Sequence, residues 1–393
     1  MTFLSGLTAP LLKEKLQGQL RLPDADNHTA PFVAAGLAET LKGAPCVLVA
    51  SNQQELEEFT TALRFIAPEA NVLRFPAWDV QPYDRLSADT SIQAERLKTL
   101  VTLQNPPANT VVVTTVGAMA TKTLPVEQLH GFGGEIKAGQ RLEREQLINT
   151  LTRAGYHRVG TVMEAGEFAV RGALLDVYPA GEDNPLRLDF LDDELESIKP
   201  FDATTQRSLG RDLNAVTLNP ASDVILNEDS IATFRQNYLA TFPAGREDAI
   251  YRDISDGIPN SQMGHYLPLF TNKPLGTFFD VLPGHSVFIT MPSFERAKDL
   301  FAEQVQDAYQ TRKSFTAEAV DEEPFRTLEP ESLYLLGDGF TAMQQKHGWL
   351  HITPRDLMAN GEAYKKTIKL HLETDLPLVS QKTANRTVAN LLK

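Results

Sequence analysis

The chain reads as an α/β protein in which a parallel-sheet domain is split by a small inserted α+β module. Three observations predict this. Residues 28–125 alternate short, continuous apolar runs with amphipathic segments of 10–15 residues, the pattern of strands buried on both faces between helices. Near residue 130 that rhythm gives way to hairpin-length segments divided by glycine and proline. The first pattern then returns in the buried apolar run Ser286–Thr290. The length, 393 residues, supplies two to three domains.

In order along the chain, His28 to Leu41 carries Phe32, Ala35, Leu37 and Leu41 at helical spacing, and Pro45 closes it. Cys46–Ala50 reads as a buried strand, Gln53 to Phe65 as an amphipathic helix with Leu56, Phe59 and Leu63 on one side, and Asn71–Phe75 as a second strand. Ala94–Leu103 reads as a helix and Thr110–Thr115 as a third buried strand. Gly131, Gly133, Gly134 and Gly139 break the chain before a helix over Arg141–Ala154. Four short strands follow, Arg158–Glu164, Glu167–Val170, Leu174–Tyr178 and Leu186–Phe190. Residues 215–290 have longer connections and end in the strand at 286–290. From 311 to 330 the composition turns polar and acidic, as in a linker. Glu373–Leu378 reads as another connection, and Asn385–Lys393 begins a helical pattern.

Composition narrows the chemistry. Lys and Arg number 37 against 51 Asp and Glu, a net charge of −14, which opposes a main role in gripping phosphate backbones. The only cysteine, Cys46, lies in an apolar run, so an internal disulfide and a multi-cysteine zinc site are excluded, and a reducing cytoplasm fits. No apolar stretch approaches a membrane span, and the N-terminus lacks the pattern of a signal peptide. The expectation is a soluble, cytoplasmic protein.

An α/β layer invites a search for a nucleotide site. A phosphate-binding loop needs glycine-rich backbone followed by Lys-Ser/Thr. The chain has no Gly-Lys dipeptide, and the stretch suited to such a loop, Asp26–Phe32, has neither glycine nor lysine. Strand Val287–Ile289 runs into Thr290-Met291-Pro292-Ser293 with no carboxylate to hold magnesium. His347 and His351 stand four apart, as in a helical metal pair, but Gly348 weakens the helix and no glutamate accompanies them. No nucleophile elbow is present. The outline is that of a nucleotide enzyme without its active site, with no cofactor, metal or catalytic residue assigned.

Two long patterns carry a resemblance. One is Phe75-Pro76-Ala77-Trp78-Asp79-Val80-Gln81-Pro82-Tyr83-Asp84, followed by Ser87, Ile92 and Glu95-Arg96-Leu97. The other runs from Gly155-Tyr156-His157-Arg158-Val159 through Glu167-Phe168-Ala169-Val170-Arg171-Gly172 and Leu186-Arg187-Leu188-Asp189-Phe190-Leu191 to Phe201-Asp202. They resemble the N-terminal part of bacterial transcription-repair coupling factor (Mfd), the module it shares with the excision-repair protein UvrB. Phe278–Pro283 is similar to the strand approach to the acidic motif of UvrB. The resemblance covers most of residues 1–300.

That resemblance implies a degenerate P-loop-NTPase-like, UvrB-like sheet domain split by a UvrA-binding domain. The implied divisions are residues 1–22, packing on the second α/β part; 23–125, the first α/β part; 126–212, the UvrA-binding domain; 213–310, the second α/β part; and 311–393, a linker and the start of a further small domain. It implies contact with UvrA through Arg171, Arg187 and Leu191, and an aromatic residue often occupies the position of Leu191 in relatives. The residues agree with an interface role for the two arginines. Residues 164–202 hold eleven Asp and Glu against three Lys and Arg, so both arginines are sparse cations in an acidic setting, suited to partner carboxylates. Phe75, Trp78, Pro82 and Tyr83 are assigned to interdomain packing, because Asp79, Asp84 and Asp89 oppose phosphate contact. The expected function is recruitment of UvrA to stalled transcription by an N-terminal fragment, with the motor and the RNA-polymerase-binding domain of the full-length family absent. An ATP-dependent UvrB-like repair helicase and a DNA-binding module stand as alternatives.

Overall fold

The structure, a computed structural model, describes residues 18–22, 26–41, 43–129, 134–224, 226–318, 325–352 and 366–367. Strands β1 (Gly18–Leu22), β2 (Cys46–Ala50), β3 (Asn71–Phe75) and β4 (Thr110–Thr115) precede an inserted module. The module contains β5 (Gly134–Lys137), β6 (His157–Arg158), β7 (Glu167–Arg171), β8 (Leu174–Val177), β9 (Leu186–Leu191), β10 (Glu194–Pro200) and β11 (Ala215–Leu218). After it come β12 (Val287–Thr290), β13 (Gly348–Ile352) and β14 (Lys366–Thr367).

The main sheet has the order β14–β1–β13–β12–β2–β4–β3, and its strand pairs are parallel. Parallel strands must be covered on both faces, and β2, β4 and β12 are accordingly buried at every residue and rich in apolar and β-branched side chains. In β2 the side chains alternate between two cores. Cys46, Leu48 and Ala50 face helices Ala30–Ala38 and Gln53–Ile66, whereas Val47 and Val49 face helix Thr90–Leu103 and the aromatic residues of 234–294. Burial pushes the Cys46 thiol well above its usual range. Helix Thr90–Leu103 starts four residues before the sequence pattern suggests, because the Asp89 side chain accepts from Ser91 N and caps it.

Several expectations change in the structure. Glu164 and its neighbours after Arg158 form no strand; β6 is two residues long. Phe278–Val281 is a 3-10 turn closed by Thr277 and Asp280, not a strand, and it drives Phe278 and Phe279 into the core. The polar composition from 311 onwards belongs in part to helix Phe294–Glu318. Its apolar seam (Ala297, Phe301, Val305 and Tyr309) packs on the body, and the polar residues are its solvent side. Residues 348–352, expected in a separate small domain, form β13 between β1 and β12. Trp349 explains that placement: its ring stacks on Phe288 at 4.2 Å, and burying an indole requires a deep core. His351 therefore lies on a strand, with His347 just before its first residue, and His351 Nδ1 shares a 2.8 Å hydrogen bond with Thr290 Oγ1. Residues 1–17, Glu373–Leu378 and Asn385–Lys393 lie outside the described residues.

The aromatic segment after β3 packs within the body. Phe75 stacks on Phe278 with ring centroids 4.7 Å apart. Trp78 meets His265 edge to face. Tyr83 donates to Leu328 O at 2.8 Å and lies against Tyr309 and Tyr334. Beneath them sits the buried guanidinium of Arg96. It lies 4.1 Å from the Phe75 ring centre and donates to the carbonyls of Pro76 (2.6 Å), Ala118 and Thr121. Burial lowers this group to about 10, so it stays cationic at neutral pH, and nearby Asp223 favours its charge. The same burial raises Asp223 to about 6. Arg96→Met leaves three carbonyls and Asp223 without their cation, and is expected to cost about 3–5 kcal/mol by chemical denaturation.

Acid should pull stability in two directions. Burial lowers His265 from 6.5 to about 4, so its contribution is full above pH 6.5 and is lost as pH falls through that window. Asp223, raised from 3.8 to about 6, binds its proton more tightly when folded, so its contribution grows as pH falls through the overlapping window. His265→Gln should therefore lose less stability than the parent between pH 6.5 and 4, and Asp223→Asn more. Urea titrations across that range measure both.

Candidate functional site

The module leaves and re-enters the body through β5 and β11, which pair antiparallel from Gly134↔Leu218 to Lys137↔Ala215. Each is only four residues long, and β5 has a single large apolar side chain, Ile136, so neither stands out in the hydrophobic pattern. Beyond this neck, a five-stranded sheet has the order β10–β9–β8–β7–β6. Helix Arg144–Arg153 covers one face with Leu147, Ile148 and Leu151, packed on Phe168, Leu175, Val177, Leu188, Phe190 and Ile198.

The other face follows from strand parity. Along β9, Leu186, Leu188 and Phe190 are buried, which turns Arg187, Asp189 and Leu191 outward. Asp176 pairs directly with Arg187, and Leu174 pairs with both Asp189 and Arg171. Arg171, Arg187 and Leu191 therefore share the face opposite the module core, although they come from two strands separated by β8. Gly172, in the tight β7–β8 turn, has φ +61°, a conformation that favours glycine. The Asp192-Asp193-Glu194 cluster lies at the β9–β10 hairpin, with Asp192 at φ +52°, and leaves neighbouring Leu191 59% exposed.

The two arginines are held differently. Arg171 is exposed, and its Nη2 donates to Gly160 O at 2.9 Å and Thr161 Oγ1 at 2.8 Å. Arg187 grips Asp176 in a bidentate pair, Nε to Oδ1 at 2.7 Å and Nη2 to Oδ2 at 2.9 Å. Asp176 is only 1% exposed, and the Arg187 guanidinium lies 4.8 Å from the centre of the buried Phe201 ring. The hydrogen bond to Asp176 raises Arg187 above its usual value. The sequence suggested two isolated cations; Arg187 is instead half of a largely buried pair, because β8 sets an acid directly across from it.

Body and module interlock along helix Thr90–Leu103. Ala94 belongs to the module core, and Lys98 Nζ reaches Gly181 O and Glu182, both at 2.8 Å. Gly166 has φ +88°, and a Cβ there would lie 2.7 Å from Thr90 Cγ2. Beside this seam lies a cleft of about 480 Å³ lined by residues such as Leu86, Gln93, Tyr156, Ser222 and Met263, with no Asp, Glu, Lys or Arg in its wall. At the start of helix Ala30–Ala38, the Glu55 carboxylate accepts from Asn27 Nδ2 (2.5 Å) and Ser51 N (2.6 Å). No cluster of three or more His, Cys, Asp or Glu suited to a metal occurs among the described residues. No described helix is long and apolar enough to cross a membrane.

This arrangement defines an α/β body that displays a small interaction module, and residues 135–223 match the UvrB interaction domain family. The chain is 33% identical to the transcription-repair-coupling factor of Escherichia coli K12 over 336 residues, 83% of this chain and 28% of that protein. It is 36% identical to the factor of Haemophilus influenzae over 67% of this chain and 22% of that one, and 27% identical to that of Bacillus subtilis over 71% and 24%. Over most of its length it is thus homologous to the N-terminal region of transcription-repair coupling factors, spanning roughly a quarter of these relatives.

Stability should separate the two arginines. Arg187→Ala strands the buried Asp176 carboxylate and is expected to cost about 2–4 kcal/mol. Arg171→Ala, losing only exposed hydrogen bonds, should stay within about 1 kcal/mol of the parent. Paired denaturant titrations test the contrast.

Proposed function

We propose that this chain recruits UvrA in transcription-coupled nucleotide excision repair, and that the outward face of the β6–β10 sheet is its contact surface. The observation that carries this reading is the convergence of Arg171, Arg187 and Leu191 on one face of a UvrB interaction domain. Arg187 is anchored along one edge and Arg171 through its Nη2, so each enters a complex with part of its side-chain entropy already lost. Leu191 offers apolar area at the hairpin tip, between carboxylates that keep the module soluble when unbound.

The body is read as a P-loop-like scaffold with no ATPase site of its own. Supporting this, the segment before helix Ala30–Ala38 has no lysine or glycine between Asp26 and Phe32, and a carboxylate, Glu55, faces it where a phosphate would need cations. Contacts with RNA polymerase and DNA are assigned to other parts of the full-length family. The working compartment is the cytoplasm.

Surface plasmon resonance against purified UvrA tests the reading. Arg171→Ala should weaken binding by roughly 1–3 kcal/mol with little change in melting, and Arg171→Glu should weaken it more. Leu191→Ala should lose a smaller amount, in keeping with its single apolar contact. If all three bind like the parent, the assignment of this face fails. Calorimetric titration with ATP and magnesium should give no saturable heat; micromolar binding would favour an active UvrB-like enzyme instead.

A further inference from the structure

Resting on the UvrA-contact reading above, we propose that Asp176 is a positioning residue for that interface: it holds the Arg187 guanidinium by its Nε–Nη2 edge and so presents the Nη1 edge to a carboxylate of the partner. Asp176 itself is too deeply buried to touch a partner. It lies directly across β8–β9 from Arg187 and takes both Nε and Nη2. No described group accepts from Nη1, and the side chain keeps 22% exposure.

Two further contacts make the arrangement directional. The Phe201 ring lies 4.8 Å from the guanidinium carbon, so the group has a ring on one side and a carboxylate along one edge. Phe201 is in turn locked in a small cluster with Val162 and Ala169, both buried. A planar guanidinium held on an edge and supported by a ring has one remaining fork with which to meet a second carboxylate bidentately. A lysine could supply the charge but not two such edges. The same construction recurs more weakly at Arg171, whose Nη2 is tied to Gly160 O and Thr161 Oγ1. The face therefore carries one preset fork, at Arg187, beside a singly tethered guanidinium at Arg171, and its partner patch should carry Asp or Glu opposite them.

A further consequence concerns charge. Asp176 neutralises part of Arg187, so a simple count of charges would credit its removal with strengthening attraction to an acidic partner. Positioning predicts the opposite sign. That difference separates the two accounts without reference to stability.

The test is a double-mutant cycle on the full chain, with UvrA affinity read by surface plasmon resonance below the melting range of every variant. Asp176→Asn, which keeps the size but loses the bidentate acceptor, should weaken binding roughly tenfold. In an Arg187→Ala background the same substitution should change affinity less than twofold, because its effect passes through the arginine. Arg187→Lys should bind about as poorly as Arg187→Ala. It also serves as the independent variant should Asp176→Asn fold poorly. If Arg187→Ala weakens binding while Arg187→Lys, or Asp176→Asn, binds like the parent, the positioning role is overturned and the interface reading stands. An equal loss from Asp176→Asn in both backgrounds also overturns it, since the residue would then act through general structure. If Arg187→Ala itself binds like the parent, it is the underlying contact assignment at Arg187 that fails.

Discussion

The buried guanidinium of Arg96 is the constraint on which much of this structure depends. A charge this deep persists only when its donors are used, and here they reach carbonyls in three separate places: after β3, in the short helix after β4, and at the end of that helix. Its face rests on Phe75, which in turn stacks on Phe278 from the returning half of the body. Asp223, at the end of the inserted domain, supplies the balancing negative charge. One side chain thus ties both halves of a split domain to the point where the insertion ends. The cost of desolvating it discourages any packing in which those segments separate.

The module is joined to this body by more than a covalent neck. Ala94 and Lys98 of helix Thr90–Leu103 reach into it, and Gly166 allows the chain to pass against Thr90 where a side chain would clash. The candidate surface is consequently carried on a fixed support. A sheet face is a good place for such a surface, because strand pairing sets the spacing of its side chains to a fraction of an ångström, which a loop would not.

On the proposed reading, an acidic domain binds its partner through a few placed cations. Eleven carboxylates within residues 164–202 make non-specific attraction to nucleic acid weak. Against that background Arg171 and Arg187 are local exceptions, the first tethered through Nη2 and the second pinned along its Nε–Nη2 edge by groups of the module itself. Lys199 pairs across β9–β10 with Arg187 and extends the positive row. On the proposed reading, a partner meeting this face is selected by matching carboxylates as well as by the hydrophobic tip at Leu191.

The sequence by itself determined the layered α/β body, because Cys46–Ala50 is apolar throughout and Thr110–Thr115 is built of valine and threonine with no charged residue, a pattern suited to a sheet covered on both faces. The candidate contact residues Arg171, Arg187 and Leu191 are implied by the family resemblance, and alternation with Leu186, Leu188 and Phe190 adds only that Arg187 and Leu191 lie on one face of their strand. Tertiary structure decided the rest. His347 and His351 are spaced equally well for a helix or for one face of a strand, and only the stacking of Trp349 on Phe288 selects the strand. The strands of the neck are too short to announce themselves, and exist because each pairs with the other across some eighty residues. Whether an arginine is free or paired is likewise invisible along the chain. Asp176 and Arg187 are eleven residues apart, and it is the β8–β9 register that sets the carboxylate against the guanidinium. Hydrophobic periodicity is a local signal; ion pairing, ring stacking and strand register depend on distances that exist only after the chain has folded.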